Sequence, residues 1–237
     1  MKPLVVFAYN FPHKKTQDIL LRLFCLGYPV GWVIASNPQA LNIPPPSVRT
    51  KIRHVALLHP EQIASRIGAK YIVAAHNSEE VYNLLGEIQP HLGVIAGARI
   101  LKPQVIDQFK IGIINLHPGL IPEVRGLDAM MWAIYHDLPL GVTAHLIDHR
   151  VDAGRILLRK PIPLFPDDTL LDLSERLFEY QLEILGDAIE RALLGQWHVL
   201  DPQTLGRPNR KMPPELEAET LRRFETYKAK MLHKGQA

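Results

Sequence analysis

Short apolar runs alternate with amphipathic ones along most of this chain, and that alternation limits its fold more than any single motif does. Runs at 4–9, 30–35, 54–58, 71–74, 92–96, 111–115, 142–147 and 155–162 are rich in Val, Ile and Leu, the pattern of buried strands. Between them, apolar positions recur at helical spacing over 16–26, 60–67, 79–88, around Val105, over 128–135 and over 170–194. Gly68 stops the second of these helices and Ser78 caps the third. Strands separated by helices do not pair as hairpins, so the expected class is α/β, a mostly parallel sheet covered by helices. Pro44-Pro45-Pro46 reads as a loop, because consecutive prolines remove backbone donors and favour an extended left-handed form. No repeat, low-complexity tract or linker precedes Gly195, so residues 1–194 read as one domain and 195–237 as a tail, packed or helical.

The strand at 111–115 runs into Asn115-Leu116-His117-Pro118-Gly119-Leu120-Ile121-Pro122-Glu123-Val124-Arg125-Gly126. Asn115 and His117 are two apart, so on a strand they project from one face while Leu116 projects from the other. The prolines and glycines that follow turn the chain away and leave the strand's carboxyl end open, where open α/β sheets build their sites. Asp152 begins a second turn, Asp152-Ala153-Gly154, just before the run at 155–162. An amide, an imidazole and a carboxylate are thus expected on one rim. Attack of an amine on an amide-like carbonyl develops negative charge on oxygen and positive charge on nitrogen. Asn and protonated His can hold that oxyanion, and one such donor is worth roughly 3 kcal/mol in the transition state. A neighbouring carboxylate can orient the His, raise its pKa and accept the amine proton. No nucleophilic Ser or Cys is required. Taken alone, His117 also fits a strand-end histidine satisfied by the backbone.

Asn-x-His-Pro-x-Leu-x-Pro-x-x-Arg-Gly, then Gly141-Val142-Thr143-Ala144-His145, then Asp152-x-Gly154-x-Ile156, resembles in order and spacing the core of the 10-formyltetrahydrofolate-dependent formyltransferases. The resemblance spans residues 70–190 and extends to the first 70 only as a strand-helix pattern. It implies a Rossmann-like formyltransferase fold, with Asn115, His117 and Asp152 as the catalytic trio. It places the backbone of Gly97, Ala98, Arg99, Ile100 and Leu101 along the folate pocket, with the turn from Ile147 and Asp148 to Asp152. His145 matches a histidine near the site in some members and is expected behind the trio or facing substrate. The resemblance also implies a cis Ile121-Pro122 bond. Arg125 reads equally as the start of the next loop or as a contact to ligand.

Composition narrows the alternatives. At 47% hydrophobic and 22% charged, 237 residues can bury a full core. No apolar stretch approaches membrane-spanning length and the start lacks a signal-peptide pattern, so cytoplasmic residence is expected. The single cysteine, Cys25, falls in a helical run and is expected to pack in the core. A net charge of +3 does not imply nucleic acid. In the last 31 residues Arg and Lys interleave with Glu, the pattern of a solvated helix face. His145 and His149 are four apart and would lie about 13 Å apart along a strand, too far for one metal, so no metal is expected. The remaining histidines, His54, His59, His76, His91, His136 and His198, read as surface or structural.

The first strand-to-helix turn, Ala8-Tyr9-Asn10-Phe11-Pro12-His13-Lys14-Lys15, lacks the glycines that wrap a pyrophosphate, so a dinucleotide cofactor is not expected. Glycinamide ribonucleotide formyltransferases carry a glycine-rich turn there, which weighs against that acceptor, although Lys14 or Lys15 could meet a phosphate. A methionyl-tRNA formyltransferase would carry a further C-terminal domain of roughly 100 residues, and a formyltetrahydrofolate hydrolase an N-terminal regulatory domain. The expected activity is therefore transfer of a formyl group from 10-formyltetrahydrofolate to the primary amine of a small acceptor, an amino sugar linked to a nucleotide. The other family acceptors and hydrolysis remain as alternatives. Expected partners are the folate cosubstrate and the acceptor, with no nucleic acid or membrane and a homodimer left open. Lys14, Arg125 and His145 are the candidate acceptor contacts.

Overall fold

The computed structural model describes residues 2–39, 45–52 and 54–235. Strand β1 (Leu4–Tyr9) leads to helix α1 (Lys14–Cys25), β2 (Val30–Ser36), α2 (Pro60–Arg66), β3 (Lys70–Val73), α3 (Glu79–Ile88) and β4 (Leu92–Ile95). Then come α4 (Pro103–Ile106), β5 (Gly112–His117), α5 (Ala129–Tyr135), β6 (Gly141–Leu146), β7 (Arg155–Pro161), α6 (Leu170–Glu183), α7 (Leu185–Leu193) and α8 (Pro214–Gly235). The seven strands form one sheet in the order β3-β2-β1-β4-β5-β6-β7. Pairings from β3 through β5 are parallel, and β6 and β7 add antiparallel to that edge. The expected α/β class with a mostly parallel sheet holds.

Alternation along the strands sets the two faces. In β1, Leu4, Val6 and Ala8 enter one hydrophobic cluster, while Val5 and Phe7 enter another on the opposite face. The first cluster is closed by Ile19, Leu20 and Leu23 of α1, Leu173 and Leu177 of α6, and Leu185 and Ile189 of α7. Val81 and Leu85 of α3 and Val105 of α4 close the second. Helices therefore cover both faces. The chain order reverses direction between β1 and its two neighbours, β2 and β4, and the strand carrying the candidate site follows β4 toward the opposite edge.

Three expectations need correction. Residues 54–58 form no strand. β3 takes the edge beside β2, and this run passes outside with Val55 79% exposed. A five-residue apolar run does not reveal whether a hydrogen-bonding partner is free. The helix expected over 170–194 breaks at Ile184, which ends α6 and begins α7. Cys25 is exposed. The buried stripe of α1 runs through Thr16, Ile19, Leu20 and Leu23, and the last helical residue falls off it. Pro45 and Pro46 lie in irregular structure, as expected, while Pro44 lies outside the described residues.

The tail packs back onto the body. α8 lies against α5, Phe224 and Tyr227 enter the larger cluster, and the Tyr227 hydroxyl donates to the Leu138 carbonyl at 2.9 Å. No described helix is long and apolar enough to cross a membrane.

Candidate active site

Asn115 and His117 stand at the carboxyl end of β5, side by side with β6. Antiparallel register sets Asn115 opposite His145 and His117 opposite Thr143, so His145 lies on the same face as Asn115. The chain then turns back over His117. The Thr143 hydroxyl donates to the Gly119 carbonyl at 2.7 Å and accepts from the Ile121 amide at 3.1 Å, and Ile121-Pro122 is cis, as the resemblance implied. Gly119 is required by close approach, since a Cβ there would sit 2.8 Å from the His117 Nε2. The turn brings the Val124 carbonyl to 3.0 Å from the same nitrogen.

Asp152 is the hub. Its backbone is left-handed, at φ 45°, a region Asp tolerates better than most side chains. One carboxylate oxygen, Oδ2, accepts from the Gly126 amide at 3.0 Å and lies 3.4 Å from the His117 Nδ1. The other, Oδ1, lies 3.4 Å from the Asn115 Nδ2 and 3.5 Å from the His145 Nε2. The Asn115 Nδ2 and His145 Nε2 are themselves 3.2 Å apart. The structure thus brings Asn115, His117, Asp152 and His145 into one constellation. Among the described residues, no group of His, Cys, Asp and Glu is arranged to hold a metal ion.

The electrostatics depart from expectation in one respect. Burial acts to raise the Asp152 pKa, yet the His145 hydrogen bond, the fields of His117 and His145 and the Gly126 N–H outweigh it, and the carboxyl falls to about 2. For His117 the expected upward pull of Asp152 is present but smaller than the cost of burying an imidazolium, so its pKa falls to about 4. The ring is therefore neutral near pH 7. The Val124 carbonyl can only accept, so the proton sits on Nε2 and the Nδ1 lone pair faces the carboxylate. In this state His117 Nδ1 has a free lone pair, but taking a proton there charges a buried ring.

The other candidates sort by position. Arg125 donates to the Val151, Asp152 and Gly206 carbonyls, so it braces the Asp152 turn rather than facing the cavity. Lys14 pairs with Asp18 at 2.7 Å and lies over the Phe178 ring. Its neighbour Lys15 reaches inward, donating to the Leu116 carbonyl at 2.9 Å and to the Gln181 Oε1 at 3.1 Å. Burial pushes the Lys15 pKa down to about 8, with Asp152 opposing that fall and Lys51 adding to it. Lys14, Lys15, Lys51, Pro118, Gly126 and Gln181 all border a cavity of about 710 Å³ beside the trio. Gln181 was not anticipated. It follows Leu170, Leu173 and Leu177 on the buried stripe of α6, and a polar residue on such a stripe is the signal that marks it.

The loop expected along the folate pocket is held from behind. Gly97 packs on the Tyr9 ring, the Tyr9 hydroxyl donates to the Ala98 carbonyl at 3.2 Å, and Arg99 donates to the Gln39 carbonyl. Leu101 is buried and Ile100 is 74% exposed. The Ile147 amide donates to the Ile113 carbonyl, and Asp148 pairs with Arg150. Ile147 and Asp148 line a second cavity of about 540 Å³, whose described walls do not include residues 97–101.

Comparison with known proteins gives a consistent picture. A family model described as formyl transferase matches residues 46–189. Methionyl-tRNA formyltransferase of Synechococcus sp. (strain JA-3-3Ab) is 36% identical over 104 residues, which cover 44% of this chain and 32% of that protein. For that of Caldanaerobacter subterraneus subsp. tengcongensis the figures are 28% over 181 residues, 75% and 56%. The chain therefore spans less than two thirds of the length of these relatives. A sugar N-formyltransferase from Shewanella sp superposes with a TM-score of 0.62 at 20% identity, covering 93% of this chain and 88% of that one. Glycinamide ribonucleotide transformylase 1 from Symbiobacterium toebii gives 0.61 at 22% identity, covering 84% and 95%. A formyltransferase from Anoxybacillus kamchatkensis, solved with UDP-4,6-dideoxy-4-formamido-L-AltNAc and tetrahydrofolate, gives 0.51 at 19%, covering 75% and 85%. At these identities the solved structures speak to the shared fold.

Proposed function

The chain belongs to the formyl transferase family, and on that premise we propose that it moves a formyl group from 10-formyltetrahydrofolate to the primary amine of a small anionic acceptor, an amino sugar linked to a nucleotide. The observation that carries this reading is the gathering of Asn115, His117 and His145 around one Asp152 carboxylate, each within 3.5 Å. That donor set fits the cosubstrate, because it pairs an oxyanion donor with a proton acceptor and offers no covalent nucleophile. Bound folate supplies the carbonyl carbon and a leaving nitrogen.

The chain's own groups then do the following. Asn115 directs its amide N–H toward the oxygen that becomes negative when the acceptor amine adds to the formyl carbon. Asp152, ionised, and the bare His117 Nδ1 accept the proton that the attacking amine must lose. The Nε2 proton stays on the Val124 carbonyl, and the proton taken from the amine, shared by His117 Nδ1 and Asp152, passes to the folate nitrogen as the carbon–nitrogen bond breaks. One bond forms, one breaks, and one proton passes from the acceptor amine to the folate nitrogen. His117 thus acts as base before it acts as acid. The backbone of Gly97, Ala98, Arg99, Ile100 and Leu101, with Ile147 and Asp148, is assigned to the folate side.

Lys15 supports an anionic acceptor. Its enclosed ammonium hydrogen-bonds only neutral groups among the described residues, the Leu116 carbonyl and the Gln181 amide, and it borders the cavity beside the trio. Three N–H donors with two fixed acceptors leave one for a ligand, and a desolvated cation favours an anion. His145 stays behind the trio and Arg125 braces the turn. The curated relatives favour a second acceptor, the amino group of a charged initiator tRNA. Against it, four cations of α8 are engaged: Arg222 and Arg223 with Glu219, Lys230 with Asp137, and Lys228 with the Pro166 and Asp168 carbonyls.

The test is to incubate the purified protein with 10-formyltetrahydrofolate and, separately, amino-sugar nucleotides, glycinamide ribonucleotide, charged initiator tRNA, and buffer alone. Tetrahydrofolate release that requires an amino-sugar nucleotide supports the proposal. Release with tRNA or glycinamide ribonucleotide moves the acceptor, release in buffer alone identifies a hydrolase, and no release under any condition rejects formyl transfer.

A further inference from the structure

The segment 206–212 crosses the turn 125–128 that faces Asp152. Asn209 and Gly126 form a parallel bridge, in which the Asn209 amide donates to the Arg125 carbonyl at 2.8 Å and the Leu127 amide donates to the Asn209 carbonyl at 3.0 Å. The approach is so close that a Cβ on Gly126 would overlap the Asn209 carbonyl oxygen and amide nitrogen, and Gly126 holds φ +87°. The amide of this same Gly126 donates to the Asp152 Oδ2. Arg125 completes the clasp by donating at once to the Gly206 carbonyl on the tail and to the Val151 and Asp152 carbonyls. Farther along, the Asp128 carboxylate accepts from Lys211 and from the Met212 amide at 2.8 Å, and the Trp132 indole donates to the Arg210 carbonyl at 2.9 Å.

We infer that the tail segment 206–212 is a strap that positions the Asp152 carboxylate, acting through Gly126 and Arg125, and that its loss lowers turnover without unfolding the protein. Two routes run from it to Asp152. One is a backbone bridge at 126 that aims an N–H at Oδ2, and the other is a guanidinium that ties the tail to the main chain of 151–152. Neither touches the acceptor cavity through a side chain of the tail. Arg125 and Asn209 are positioning residues in this scheme, and the scheme rests on the formyl-transfer reading for its catalytic consequence.

The experiment uses the full chain with three substitutions. Asn209→Pro removes the donor to the Arg125 carbonyl. Arg125→Lys keeps the charge but cannot span three carbonyls, and it serves if the proline variant does not fold. Tyr227→Phe, which loses only the bond from α8 to the Leu138 carbonyl, is the stability control. The readouts are kcat and KM for each substrate, hydrogen exchange at the Gly126 amide, and the carboxyl titration of Asp152 by carbon NMR. In that titration, His117, His145 and Lys15 also face the carboxylate and are unchanged, and Arg125, whose charge also acts on it, is unchanged in Asn209→Pro and keeps its charge as Arg125→Lys.

For the two strap variants we expect kcat to fall by about tenfold or more while folate KM stays within about twofold. Gly126 should lose about tenfold in exchange protection, and the Asp152 titration should move up by about one pH unit as it loses an N–H donor. The control should keep all four values. A folded strap variant with wild-type Gly126 protection or Asp152 titration overturns the inference. So does a fall in kcat shared equally by Tyr227→Phe, which would make the tail a stability element only. Exchange and titration need no substrate, so they decide the strap even if the wild-type protein transfers no formyl group.

Discussion

Asp152 gathers the Gly126 amide, Asn115, His145 and the bare His117 Nδ1 around one carboxylate, and two consequences at the residue scale follow from that crowding. Replacing Asn115 or His117 by Ala removes a group to which the proposed reaction assigns a direct role at the rim of the sheet. Each should lower turnover by two or more orders of magnitude while the melting temperature stays near wild type. Steady-state rates with a thermal melt check this, and near-wild-type turnover in either variant removes the assignment. The second consequence concerns pH. A His117 pKa of about 4 leaves no basic limb for that residue to produce near neutrality. Lys15 is depressed to about 8. Its charge is present below that value and lost above it, so affinity for an anionic acceptor should hold at pH 7 and weaken as pH rises through about 8. Lys15→Met should raise acceptor KM by about tenfold at pH 7 and make it independent of pH between 7 and 9. A KM in that variant that still rises with pH would place the titrating group elsewhere.

At the scale of elements, the site is made where β5, the 118–128 turn and the 147–154 turn meet. The turn is held by glycines that permit contact rather than merely bend the chain. Gly126 is pressed against Asn209 with a left-handed backbone. Gly126→Ala adds a clash and a strained φ together, which should destabilise the protein by about 1–3 kcal/mol. Urea unfolding measures this, and a loss below about 0.5 kcal/mol would mean that the tail can retreat without cost.

At the scale of the molecule, the tail and the body share one core. The Tyr227 ring is buried in the larger cluster although it lies 34 residues beyond Leu193, the end of α7. Its truncation in Tyr227→Ala should cost about 3–5 kcal/mol. Because α8 closes the same cluster as α1, α6 and α7, unfolding should be one transition, with tryptophan fluorescence and far-ultraviolet circular dichroism giving coincident curves. Two separated transitions would show instead that α8 folds as an independent unit.

Much of this was legible in the sequence, and the reason is periodicity. Strand and helix spacing, with Asn115 and His117 two apart at a strand end, is local information, and β5 carries both residues on one face as read. Asp152 was expected on the same rim from the turn it begins, whereas His145 was legible only through the resemblance, since nothing local says which residue of the next strand stands beside Asn115. The spurious strand at 54–58, the exposed Cys25 and the split at Ile184 mark the same limit, because burial and partner choice depend on what else occupies the space. The sign of the His117 shift depended on it too. An Asp two strands away raises that pKa in any arrangement that brings them together, but only the closed turn over Gly119 and Val124 buries the ring deeply enough to reverse the result. The types of groups were written in the chain, whereas their solvation, and with it the direction in which protons move, was decided by tertiary packing.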